Sequence, residues 1–98
     1  MKPSNYTEFQ NTLDLDSPPT HWTEGLQSLW HDAKGDWVAS HNIAQDMHSP
    51  LGSWIHAYLH RKEGDEWNAG YWYRQANRPF SSLSFEEELK EIVEFVLD

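Results

Sequence analysis

The chain is 98 residues long, carries a formal net charge of −9 and has no cysteine, so a single small acidic domain is the default. Without cysteine there is no disulfide, no thiolate metal site and no Cys nucleophile, which fits a reducing compartment. An acidic chain with no basic stripe is poorly suited to nucleic acid, whose binding needs Lys and Arg on phosphates, and no apolar run is long enough to span a bilayer.

The first residues, Met1-Lys2-Pro3-Ser4-Asn5, lack the apolar segment of a secretory signal, and a cytoplasmic location is expected. Six Trp, four Tyr and four Phe offset the thin core of so short a chain, because each ring buries a large area. Charge is uneven. Residues 1–24 carry a net −3 and residues 79–98 a net −5, while the middle of the chain is nearly balanced. Acidic ends of this kind serve solubility.

Residues 4–13 fit a short helix capped by Ser4 or Asn5, with Tyr6, Phe9 and Leu13 on one face. Asp16-Ser17-Pro18-Pro19 then forbids a continuing helix. Thr20 is the expected N-cap of the next helix, whose apolar stripe is Trp22, Leu26, Leu29, Trp30 and Ala33. Gly35-Asp36 ends it, glycine supplying the left-handed position and aspartate a cap for the helix that follows. Trp37, Ser40, Ile43, Ala44 and Met47 give that helix its inner face, and Ser49-Pro50 closes it.

The second half repeats the plan. Leu51, Trp54, Ile55, Tyr58 and Leu59 recur at helical spacing, Gly64-Asp65 turns the chain, and Ala69, Trp72, Tyr73 and Ala76 form the returning face, with Arg78-Pro79 as its end. A shift of 29 residues maps His31, Gly35, Asp36 and Pro50 onto His60, Gly64, Asp65 and Pro79, whereas Trp37 and Trp67 correspond only with a one-residue offset. Ser84 and Glu87 form a capping box for a last helix striped by Phe85, Leu89, Ile92, Val93 and Val96. Phe95 and Leu97 fall off that stripe, which suits either a capping helix covered on more than one side or a dimer contact.

The expected architecture is therefore all-α within one domain: an N-terminal arm or short helix (1–19), hairpin 1 (20–50), hairpin 2 (51–80) and a C-terminal capping helix (84–97). Ala57, Gly64-Asp65, Ala69, Tyr73, Ala76 and Pro79 stand at spacings that resemble the tetratricopeptide repeat, a helical-hairpin family. Hairpin 1 matches it less fully, with Gly35-Asp36-Trp37 and Pro50 but Ser40, Ala44 and Met47 between them. The resemblance implies tandem hairpins and a role in binding proteins or peptides. The segment His56-Ala57-Tyr58-Leu59-His60-Arg61-Lys62-Glu63-Gly64-Asp65, with Tyr71-Trp72-Tyr73-Arg74 after it, also resembles a group of small bacterial and fungal proteins to which no activity attaches.

Candidate chemistry gathers on hairpin 2. His56 and His60 lie four apart on one helix face, the spacing of two ligands to one metal ion, with Glu63 one turn on and His31 at the matching place in hairpin 1. The pair lacks the glutamate of H-E-x-x-H, and no serine or other nucleophile has a motif around it. Arg61, Lys62, Arg74 and Arg78 concentrate positive charge; they suit either an anionic ligand or pairing with Glu63, Asp65, Glu66 or the acidic C-terminal helix. Trp67 and Tyr71 fall on the side opposite Ala69, Tyr73 and Ala76, so that helix is either sandwiched or exposes aromatics.

The expected function is accordingly non-enzymatic: a protein-interaction or self-association module, with no cofactor. Its surface would comprise Trp54, His56, Tyr58, His60, Arg61, Trp67, Tyr71, Arg74 and Arg78. The alternative is a small metal- or anion-binding enzyme or sensor, with a divalent metal on His56 and His60 and on His31 or Glu63.

Overall fold

A computed structural model describes residues 2–98, and its regular structure is helical throughout, as expected. Helix α1 (Tyr6–Asn11) runs into a 3₁₀ turn (Thr12–Asp14) and is followed by α2 (Glu24–Ala33), α3 (Trp37–Gln45), α4 (Pro50–Lys62), α5 (Glu66–Gln75) and α6 (Phe85–Leu97). Helices α2 and α3 pack as one pair and α4 and α5 as another, α3 also meets α4, and α6 lies against α1, α2 and α4. No helix among the described residues is long and apolar enough to cross a membrane.

The two Gly-Asp turns are one device used twice. Gly35 and Gly64 take φ of +91° and +85°, the left-handed conformation that costs an L-residue steric energy. Their N–H groups donate to Asp32 O and Arg61 O, and the next N–H groups, of Asp36 and Asp65, reach back to His31 O and His60 O. That double closure satisfies the orphan carbonyls of α2 and α4. Each aspartate then turns its side chain forward, Asp36 accepting from Ala39 N and Asp65 from Asn68 N, and so caps the returning helix. A third left-handed residue, Asn77 at φ +59°, ends α5, with the Arg78 N–H returning to Tyr73 O.

Helix α2 begins later than expected. The Trp22 N–H donates to Pro19 O, so Thr20 and His21 sit in a turn, and Thr23 rather than Thr20 occupies the N-cap position. Trp22 is buried ahead of the helix and stacks on Phe9 of α1 at 6.3 Å. The N-terminal arm is thereby held on the core: Asn5 caps α1, Tyr6 and Phe9 are buried, and Trp30 Nε1 and Lys34 Nζ donate to Thr12 O and Leu13 O. The Ser84–Glu87 capping box is present at α6, whose Leu89, Ile92 and Val93 complete the core.

Three polar contacts lock the packed helices together. Between α2 and α3, Ser28 Oγ donates to Ser40 O at 2.9 Å in a fully buried contact that only small side chains permit. Between α2 and α4, Asp32 accepts from Tyr58 Oη at 2.7 Å and Lys62 Nζ at 2.9 Å. Burial, followed by the field of that carboxylate, raises the Tyr58 hydroxyl above its usual range. Between α4, α5 and α6, the wholly buried Glu88 accepts from Trp54 Nε1, from Arg61 Nε and Nη2, and from Tyr73 Oη.

Replacing Glu88 by Ala strands the Arg61 charge and two buried donors, and should cost about 3 kcal/mol in urea unfolding. A loss under 1 kcal/mol would show the contact to be dispensable. Nothing lies near a Cβ built on Gly64, so its strain is purely conformational. Gly64→Ala is expected to destabilise by about 1 kcal/mol, and Gly64→Asn by clearly less, because Asn tolerates the left-handed region.

Candidate functional site

Helix α3 presents Trp37 and His41 one turn apart, and α4 presents His56 and His60 one turn apart, on faces that meet where the two hairpins join. His41 Nε2 and His56 Nε2 are 2.8 Å apart, a hydrogen bond in which one neutral ring donates to the other. His60 stacks on His56 with ring centroids at 4.8 Å, and its edge meets His41 at 5.3 Å. One ring nitrogen from each of the three histidines lies within 4.8 Å of the others.

Two tryptophans wall the cluster. Trp37 stacks on His41 at 4.7 Å and 11°, and its own Nε1 is anchored on Leu59 O at 2.8 Å. On the far side Trp72 of α5 stacks on His56 at 4.1 Å and 21°. Outside the cluster, His60 Nδ1 is 2.7 Å from Glu63 Oε1 and 4.0 Å from Asp65 Oδ2. A carboxylate only accepts, so Nδ1 of His60 is the protonated, donating nitrogen of this contact.

Burial of His56, followed by like-charge repulsion from His41 and then His60, pushes its imidazole down to about 4. Burial and His60 lower His41 as well, against the pull of Glu63. The rings of His41 and His56 are therefore neutral near pH 7 and available as lone-pair donors. A groove lined by Met47, His48, His56, Trp72 and Gln75 gives solvent a route to one edge of the cluster.

The residues expected to form one surface separate into three groups. His56 and His60 do come together, but the third histidine is His41; His31 lies on α2 with its ring edge-on to Trp30. Glu63 touches the outer nitrogen of His60. Trp54 and Tyr58 are core residues, only 2% and 1% exposed, because their polar tips find the buried carboxylates of Glu88 and Asp32. Neither belongs to an exposed face.

The basic residues also disperse. Arg61 pairs with Glu88 and Lys62 with Asp32, while the Arg78 guanidinium lies 3.4 Å above the Trp54 ring and also faces Phe95. Among the described residues, ion pairing within the fold thus engages Arg61, on Glu88 of α6, and Lys62, on Asp32 of α2, and neither Arg74 nor Arg78. Arg74 remains exposed, as do Trp67 at 76% and Tyr71 at 40%.

Sequence reasoning missed His41. Its signal was the i, i+4 relation to Trp37, the aromatic that follows the Gly35-Asp36 turn. Comparison of the chain with protein-family models, with curated proteins and with solved structures yields no match in any of the three.

The histidine cluster predicts an acid-labile fold. In the unfolded chain His56 takes up a proton near its ordinary 6.5, whereas in the folded protein it resists down to about 4, so the unfolded state binds more protons across that window. With chelator present, the unfolding free energy should hold steady above about pH 6.5 and decline as pH falls toward 4. His56→Gln should flatten this decline; an unchanged slope would assign it to other groups.

Proposed function

We propose that the protein is a non-enzymatic, cytoplasmic interaction module of the tetratricopeptide kind, with the outer face of α5 as its contact surface. The observation that carries this reading is Trp67, 76% exposed, with Tyr71 one turn along on the same side. The other large exposed rings are partly used within the fold: Arg61 covers Phe85, Arg78 and Trp54 meet Phe95, and Phe80 leans on Tyr73. Among the described residues Trp67 has no such ring or cation partner.

An indole left in water forgoes a large apolar burial, and such residues are the usual anchors of protein interfaces. Arg74, on the same helix and also exposed, adds a cation to this surface in a chain that is otherwise strongly acidic. The surface suits a protein with an apolar pocket and acidic groups at its rim, whether a second copy or another chain.

Placing a photo-crosslinking amino acid at position 67 in the native host tests this directly. One dominant adduct is expected, at twice the 11.5 kDa chain mass if the partner is a second copy, and Tyr71→Ala should diminish it. Trp67→Ala should leave stability within about 0.5 kcal/mol, as for an exposed position. No adduct at position 67, together with monomeric sedimentation at high concentration, would overturn the reading.

A further inference from the structure

From the geometry of the α3–α4 contact we infer that His41, His56 and His60 form a binding site for one first-row divalent metal ion of the zinc class. Around a tetrahedral zinc with bonds near 2.0–2.1 Å, ligand nitrogens stand about 3.3 Å apart. The three ring nitrogens already lie within 4.8 Å of one another, so rotamer-scale adjustments bring them to that spacing. The His41–His56 pair, at 2.8 Å, needs to open by only about half an ångström. On metal binding the ring that donates that hydrogen bond moves its proton from Nε2 to Nδ1, and both Nε2 lone pairs face the ion.

The surroundings match what an imidazole site requires. His60 has its Nδ1–H held by Glu63 at 2.7 Å, the carboxylate–histidine arrangement that fixes the tautomer and aims Nε2 at a metal. The planes of His41 and His56 are held against Trp37 and Trp72, so little side-chain freedom remains to be lost. All three donors are nitrogen, which favours zinc, nickel or copper over magnesium or calcium. Among the described residues no fourth His, Cys, Asp or Glu joins the triad, which leaves the fourth position to water, as in open rather than structural sites. This site is independent of the α5 surface, since Trp67 and Tyr71 supply no ligand.

A second grouping, His60 with Glu63 and Asp65, shares one histidine with this triad and meets it at Nδ1. His41 belongs to the first alone, which makes it the discriminating residue. The experiment is equilibrium dialysis of the full untagged chain against Zn²⁺ with elemental analysis, alongside thermal unfolding with and without the metal. One zinc per chain at micromolar affinity or tighter is expected, with a Tm raised by several degrees.

His41→Gln and His60→Gln should each weaken binding by at least tenfold, and Glu63→Gln by a smaller factor, because Glu63 acts only by orienting His60. His31→Gln should bind as the parent does. No saturable binding in the micromolar range, or binding that survives His41→Gln, would overturn the site. Equal loss in His31→Gln would do the same. The Tm shift of the unsubstituted chain remains decisive even where a variant folds poorly: its absence counts against the proposal.

Discussion

A carboxylate with no exposed surface holds this small fold in register. Glu88 enters from α6 and meets donors from two other helices: Trp54 and Arg61 on α4 and Tyr73 on α5. An isolated buried carboxylate would cost several kcal/mol, and a complete donor set offsets that cost only when every partner is in place. The contact therefore acts less as added stability than as a test of assembly. The α4–α5 hairpin cannot shift against α6 without stranding Arg61 in a half-buried position. Asp32 plays the same part between α2 and α4, holding Tyr58 and Lys62. With α4 fixed from both sides, the direction of its remaining face toward α3 is fixed too, and that face bears His56 and His60.

Much of the helical plan is legible in the chain because it is local. A positive φ requires glycine or asparagine, so Gly35 and Gly64 announce their turns, and the Ser84–Glu87 box announces α6. Apolar periodicity locates Leu26, Leu29, Ile55, Leu59, Ile92 and Val93 in the core. What local pattern does not reach is pairing across distance. Trp54 and Tyr58 fall both in the apolar stripe of α4 and among the surface candidates, and the buried carboxylates of Glu88 and Asp32, from distant helices, place them in the core. Thr20 fits a cap by type but loses the position to a turn closed on Pro19, which delays the helix to Glu24.

His31 shows how a repeat can mislead about side chains. It stands where His60 stands relative to the Gly-Asp turn, and the backbone there is the same, down to the carbonyl that accepts the aspartate N–H. The neighbours differ. His60 looks from α4 toward α3, whereas His31 on α2 meets Trp30 edge-on. The third ring of the cluster comes instead from α3, through the i, i+4 stack of Trp37 on His41. The repeat thus predicts where the chain turns, because turning is a backbone requirement, and not which rings converge.

The one-residue offset between Trp37 and Trp67 has a larger consequence. One step along a helix rotates a side chain by about 100°. Trp37, directly after its capping aspartate, swings inward, donates to Leu59 O and walls the histidines; Trp67, one residue later, swings out into solvent. The inward role on α5 passes to Trp72, which stacks on His56, and Tyr71 meets Trp72 edge-on at 5.0 Å. Helix α5 is therefore a shared wall. Its inner side fixes the plane of His56, its outer side carries the exposed Trp67 and Tyr71, and the Tyr71–Trp72 contact joins the two. The surface and the cluster thus lie on opposite sides of one helix without sharing a residue.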